Sequence, residues 1–120
     1  LFRGLTADVK KTIFEEADDH AGEVETSLAL AFFGHLVEKT AGGTLAADEG
    51  KTNPTRLDAV NQGWVSITRP WHLLTTNTGA GNPHAATAEK GERLMQTMVE
   101  RLSRFLVDLA STELDDRFPF

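Results

Sequence analysis

Six consecutive apolar residues, Leu28-Ala29-Leu30-Ala31-Phe32-Phe33, set the tightest limit on what this chain can fold into. The spacing predicts a helix from about Glu23 to Phe33, with Leu28, Ala31 and Phe32 on one face and Leu30 and Phe33 filling the other sides. A helix that is apolar nearly all round is buried on most sides. A chain of 120 residues that reads with few strands has little of its own to cover such a helix, so packing layers from elsewhere are expected.

The run is entered through charge. Asp18, Asp19, Glu23 and Glu25 surround His20, which puts four acids and an imidazole within eight residues. Ionisable groups carried into an apolar environment are costly unless they are paired or bound to metal, which makes the cluster a site candidate. A lone histidine is usually structural, but carboxylates around an imidazole favour its protonated form, which can donate to a leaving amine. Glu23 and Glu25 lie about 200° apart on a helix, so they do not both face one site unless the helix begins between them. One reads as a ligand or base and the other as a cap or supporting group. His35, His72 and His84 sit in or beside loops without acids around them and read as surface or packing residues. The residues alone describe part of a hydrolytic site, since a catalytic metal takes three protein ligands plus water.

The rest of the chain frames that cluster. Residues 6–16 read as a helix capped by Thr6, with Asp8 in its first turn and Val9, Ile13 and Ala17 on one face. Residues 38–63, with Gly42-Gly43, Gly50 and Asn53-Pro54, form a long excursion, either a lid or assembly contact or a plain surface loop. Trp64 to Thr68 alternates and is β-branched, which predicts a strand ended by Pro70. A second turn-rich loop spans 75–83, and Asn82 with Pro83 reads as the start of the last helix. In that helix Leu94, Met98, Leu102, Phe105 and Leu109 share a face, while Glu89–Arg93 and Glu100–Arg104 pair on the wet side. Gly91 weakens it unless close packing needs a glycine there. Phe118 and Phe120 in the tail are expected to dock on a neighbour.

Composition closes off several functions. A net charge of −6 leaves no footprint for nucleic acid or an anionic membrane. Without cysteine there is neither a disulfide nor a thiolate site, so any metal would be held by histidine and carboxylates, which suit zinc, manganese or iron. No run reaches membrane-spanning length and no signal pattern opens the chain, which makes a soluble cytoplasmic protein the expectation. Leu1 in place of Met suggests a processed product, or one piece of a longer polypeptide.

Three pieces of the sequence, in order, resemble the creatininase (creatinine amidohydrolase) family. Asp19-His20-Ala21-Gly22-Glu23-Val24-Glu25-Thr26-Ser27-Leu28 is similar to the family's His-Ala-Gly-x-x-Glu-Thr-Ser segment. Thr68-Arg69-Pro70-Trp71 resembles a turn in one branch of the family, and Thr78-Gly79-Ala80-Gly81-Asn82-Pro83 leading to Ala86–Gly91 resembles its closing motif. The family's N-terminal Glu-x-His pair, the Asp downstream of it and the Asn-Gly-His segment, which supply most metal ligands, have no counterpart here. The resemblance therefore implies an α/β protein of three-layer α/β/α type, of which residues 1–120 supply the C-terminal helices and a short strand or two. It also implies a separate or cleaved N-terminal half as partner and a homo-oligomer, often a hexamer in this family.

The resemblance further implies one or two divalent ions, zinc, manganese or iron, and a small-molecule substrate whose C–N bond is split by metal-activated water. It places catalysis on His20 with Asp19, metal ligation on Glu25 or Glu23, and substrate contacts on His20, Glu16 and Trp71. Glu16 and Ala17 stand where creatininase proper has a Trp and an Asp that hold creatinine, which argues against creatinine itself. Two other readings share this frame: a non-catalytic structural or regulatory subunit, and a family peptidase acting in cofactor maturation.

Overall fold

The computed structural model describes residues 2–16 and 20–118, with the side chains of Phe2 and Arg3 left aside. Its spine is a pair of helices, α3 (Glu23–Phe33) and α6 (Ala88–Ser111), with α1 (Phe2–Leu5) and α2 (Ala7–Ile13) laid against α6. Short helices α4 (Asp58–Asn61) and α5 (Trp71–Leu74) interrupt the long connection between α3 and α6. Leu94 on α6 meets Val24 on α3 together with Ile13 and Phe14, and Val9, Leu28 and Met98 pack around them. The apolar face expected for the last helix supplies this core through Leu94 and Met98, and Leu102, Phe105 and Leu109 continue it towards α1 and solvent.

Gly91 is the point of closest approach in the spine. A Cβ there would lie 2.2 Å from the carbonyl oxygen of Ser27, a backbone atom that cannot swing away. Beside it the buried Ser27 hydroxyl accepts the Thr87 N–H (3.2 Å), and Thr87 in turn caps α6 by accepting from Lys90 N (3.2 Å). Gly91→Ala gains up to about 1 kcal/mol of helix propensity. It must also push the two helices apart, a change of the overpacking kind that costs about 1–3 kcal/mol. A net fall in Tm is the expected result; a rise would show that the helices slide freely past each other.

Two sequence expectations are corrected at helix ends. The helix predicted over 6–16 stops at Ile13, because the Glu15 and Glu16 N–H groups are taken by the Glu23 carboxylate (2.8 and 3.0 Å) instead of continuing the helical ladder. Thr6 does occupy the N-cap position and is buried, but its side chain makes no capping hydrogen bond to the helix. Ala17, placed on the face of that helix by sequence, lies outside the described residues, as does Phe120. Asn82 does not start α6: its Oδ1 accepts His84 N (3.0 Å) and closes a local turn, and the helix begins six residues later, at Ala88, with Thr87 as its cap.

The long excursion is tied down by pairing with the loop after α5. Gly50 and Gly81 exchange two backbone hydrogen bonds of 2.9 Å, and the Asn53 N–H donates to Leu74 O (2.7 Å). The Gly50 backbone passes so close to Gly79 that a Cβ would meet its carbonyl carbon at 2.2 Å. These contacts remain isolated bridges, and no strand forms among the described residues. The strand predicted over Trp64 to Thr68 is absent for that reason: alternation and β-branching fit a pleated surface, but a strand exists only where a second strand pairs with it. Residues 64–67 instead present Trp64 (76% exposed), Val65 and Ile67 to solvent.

The shape follows from this shortage of pairing and covering. The radius of gyration is 18.5 Å, against about 14 Å for a compact domain of this length. Phe33 on α3 is 58% exposed, and Phe32, Leu36 and Leu73 are also open, so α3 is covered on the α6 side and bare elsewhere. On α6 the Glu100–Arg104 pair closes at 3.4 Å, whereas Glu89 and Arg93 form no ion pair among the described residues. No described helix is long and apolar enough to cross a membrane.

Candidate active site

His20 lies where the entry to α3 meets the loop before α6. Its backbone is clamped to Ala80 by two hydrogen bonds, His20 N to Ala80 O (3.1 Å) and Ala80 N to His20 O (2.8 Å). Ala21 then turns the chain at φ 54°, a left-handed conformation uncommon for a residue with a side chain. That turn aims the Ala21 N–H at Glu25 Oε2 (2.6 Å), and the same oxygen lies 3.3 Å from His20 Nδ1. Both side chains are about half exposed, and Glu25 Oε1 carries no hydrogen bond among the described residues. Trp71 of α5 completes the group: its ring stands edge-on to the imidazole at 5.2 Å and 84°, and its Nε1 donates to Thr78 O (2.8 Å).

Beside this group opens a cleft of about 590 Å³. Ala21, Glu25, Glu38, Asp48, Asn77 and Thr78 are among the residues that line it, so three carboxylates share its walls. Thr78 sits at φ 73°, and its N–H donates to Thr75 Oγ1 (3.1 Å). Glu38 and Asp48 come from the excursion and had no sequence signal, since a single acid in a polar loop is ordinary. Asn77 and Thr78 lie inside the third resembling motif or next to it, where reading the loop only as a turn concealed their side chains.

The two helix-entry glutamates have different surroundings, as their spacing requires. Glu23 is 0% exposed. Its Oε2 accepts the Glu15 and Glu16 N–H groups, and its Oε1 accepts from Lys90 Nζ, which also reaches Glu15 Oε1 (2.9 Å) and Ala85 O (2.9 Å). Burial pushes the Glu23 carboxyl up, but the Lys90 ammonium and the two N–H groups push it further down, leaving it below the usual carboxylate value. Lys90 is raised by its bonds to Glu15 and Glu23. Glu16 reaches across to Asn82 Nδ2 (3.3 Å), close to the loop that clamps His20. Asp19, expected beside His20 in catalysis, lies outside the described residues, and so does Asp18. Exposed positions hold His35, His72 and His84.

These carboxyls set a pH dependence. A second ion pair ties the N-terminal helices to α6: Arg101 grips Asp8 through two bonds (2.6 and 2.9 Å) and donates to Leu5 O (2.7 Å). The bond from Arg101 holds the Asp8 carboxyl down at about 2. Groups depressed in the folded state contribute stability that is complete above their unfolded values, about 4 for both residue types. That stability is lost as pH falls through the folded values. Tm is therefore expected to be flat from pH 7 to about 5 and to fall from there towards pH 2. The Glu23→Gln variant, lower in Tm at pH 7, should show a shallower fall; an equal slope would mean that Glu23 is not among the groups responsible.

Glu25 is a carboxylate donor of the kind that zinc, manganese and iron take, and its Oε1 is open, whereas His20 Nδ1 is turned to Glu25 Oε2. Among the described residues no group of three His, Cys, Asp or Glu converges tightly enough to hold an ion. The described residues thus fit one edge of a metal shell.

The creatininase family model, described as creatinine amidohydrolase, matches residues 3–106. Among solved structures, a protein from Bacteroides fragilis NCTC 9343 provisionally named a creatinine amidohydrolase superposes with a TM-score of 0.77 at 34% identity. The match covers 96% of this chain and 43% of that one, so the chain spans less than half of that protein's length. No curated protein matched the chain.

Proposed function

The chain belongs to the creatininase family of hydrolases, and on that premise we propose that it is part of a metal-dependent amidohydrolase that splits the C–N bond of a cyclic or related amide. The observation that carries this reading is the His20–Glu25 contact of 3.3 Å at the edge of an open, carboxylate-lined cleft. A polypeptide portion outside this chain supplies the remaining metal ligands and the sheet layer of an α/β/α arrangement. The bare side of α3 and the exposed Trp64, Val65 and Ile67 support that part of the proposal.

Within the site, Glu25 is the better ligand of the two glutamates. Glu23 is enclosed by Lys90 and two N–H groups, whereas Glu25 Oε1 is left for a cation. A bound zinc, manganese or iron ion would supply a Lewis acid for the carbonyl and a water of lowered pKa. His20 moves the proton: Glu25 holds its Nδ1 side, and Nε2 is left to donate to the departing nitrogen. The small amide substrate occupies the cleft between Glu25 and the Asn77–Gly79 turn.

Chelation tests the proposal on the protein assembled with its complementary portion. Amide hydrolysis is expected to fall at least tenfold on treatment with a chelator and to return when zinc, manganese or ferrous ion is added. Turnover that survives complete metal removal would overturn the metal-dependent reading, and an assembly that holds metal but hydrolyses no amide would favour a non-catalytic subunit.

A further inference from the structure

We propose that Trp71 is a positioning residue for His20: the indole fixes the plane of the imidazole and leaves substrate contact to other groups. The inference rests on the reading of His20 as the proton-handling group, and it assigns Trp71 a role that the family resemblance does not.

The geometry carries it from three sides. First, the ring that faces Trp71 is the imidazole itself, at 5.2 Å and nearly perpendicular, an arrangement favoured by the positive edge and negative face of aromatic rings. Second, Nε1, the only hydrogen-bonding atom of the indole, is occupied by Thr78 O at 2.8 Å, so no polar atom of the ring remains for a substrate. Third, both ends of that bond are anchored. Trp71 opens α5 directly after Pro70, and its carbonyl accepts from Thr75 N and Thr75 Oγ1 (both 3.1 Å). Arg69 fixes the approach to that helix by donating to Asn53 O (2.8 Å). At the other end Thr78 is held at φ 73° with its N–H on Thr75 Oγ1, which aims its carbonyl.

Positioning is needed because the other restraints on His20 leave a freedom. Ala80 holds the backbone of His20, and Glu25 holds the side of the ring that bears Nδ1. An imidazole held at one nitrogen can still swing about that contact, and a half-exposed ring has no core to stop it. The indole removes the swing and points Nε2 in one direction. An Arg-Pro-Trp sequence thereby acquires a purpose residue by residue: Arg69 anchors, Pro70 turns, and Trp71 reaches the histidine.

Kinetics and ring-current shifts on the assembled protein separate positioning from substrate binding. Trp71→Leu is expected to lower kcat 10- to 100-fold with KM within twofold, and Trp71→Phe, which keeps an aromatic ring, to lower kcat less than fivefold. In NMR spectra at one fixed pH, the His20 ring protons, assigned through the His20→Gln variant, should be displaced by the indole and should move towards ordinary values in Trp71→Leu. A KM raised tenfold with kcat kept would place Trp71 on the substrate, and ring-proton positions unchanged by Trp71→Leu would remove the contact; either overturns the proposal. If Trp71→Leu fails to fold, the displacement of the His20 protons in the unmodified protein and in Trp71→Phe decides. The NMR measurement does not need turnover, so failure of the amidohydrolase reading and failure of this inference are told apart.

Discussion

Replacing Lys90 by Met is expected to lower the stability of the protein by on the order of 3 kcal/mol, a fall in Tm of roughly 10–15 °C. The reason lies in what remains. Glu23 is wholly buried, and without Lys90 its charge keeps only the Glu15 and Glu16 N–H groups as partners. Breaking a buried pair by removing one partner is costlier than the pair is worth, because an uncompensated charge stays behind. The value is taken at the lower end of the usual range because the Lys90 side chain is 17% exposed and water can reach it.

The double variant Glu23→Gln with Lys90→Met separates these terms, since it removes both charges. It should recover more than 1 kcal/mol relative to Lys90→Met alone. Equal stability of the two variants would mean that Glu23 takes up a proton, or finds water, once Lys90 is gone. The Asp8–Arg101 pair has better bidentate geometry, yet Arg101→Met should have a far smaller effect, because both of its groups remain in water. Burial decides between the two pairs.

The same pair shows how much of the site was legible in sequence. Helix spacing put Glu23 and Glu25 on different sides, and a buried helix predicted that any acid on its inner side must find a partner. The identity of that partner was out of reach, because Lys90 is 67 residues away and only the close packing of Gly91 on Ser27 brings it over Glu23. Gly91 itself was readable as a conditional: a glycine early in a helix is tolerated where two backbones must meet. Much of the resembling sequence is in fact the lock between α3 and α6, through Glu23–Lys90, Ser27–Thr87 and Gly91, while His20, Glu25 and Trp71 form the accessible part.

Three expectations differ from the structure: the length of the helix over 6–16, the strand over 64–68 and the cap at Asn82. In the first two, local propensity is overruled by tertiary partners: the Glu23 carboxylate is present to take the Glu15 and Glu16 N–H groups, and a pairing strand is absent beside 64–68. The third turned on a competing local turn, which Asn favours as readily as a helix start.

The largest expected effect on chemistry is at His20. His20→Ala should reduce kcat/KM for the amide substrate by about 10²–10⁴-fold, the range for loss of a positioned general acid. Folding should be nearly unchanged, since the ring is half exposed and the two bonds from the His20 backbone to Ala80 do not need it. Glu25→Gln tests the other half of the contact: the amide oxygen can still accept the Ala21 N–H, so the turn at Ala21 is kept while the charge is lost. If Glu25 only orients His20, Glu25→Gln should lower activity and leave metal content alone, and adding it to His20→Ala should cost little more, because groups that act as a unit are non-additive. If Glu25 is also a ligand, Glu25→Gln should lower metal occupancy where His20→Ala does not, and the double variant should fall below either single one. Metal analysis beside kcat/KM on the four proteins distinguishes the cases. Activity of His20→Ala within threefold of the unmodified protein would remove the histidine from the chemistry and leave Glu25 with the cation alone.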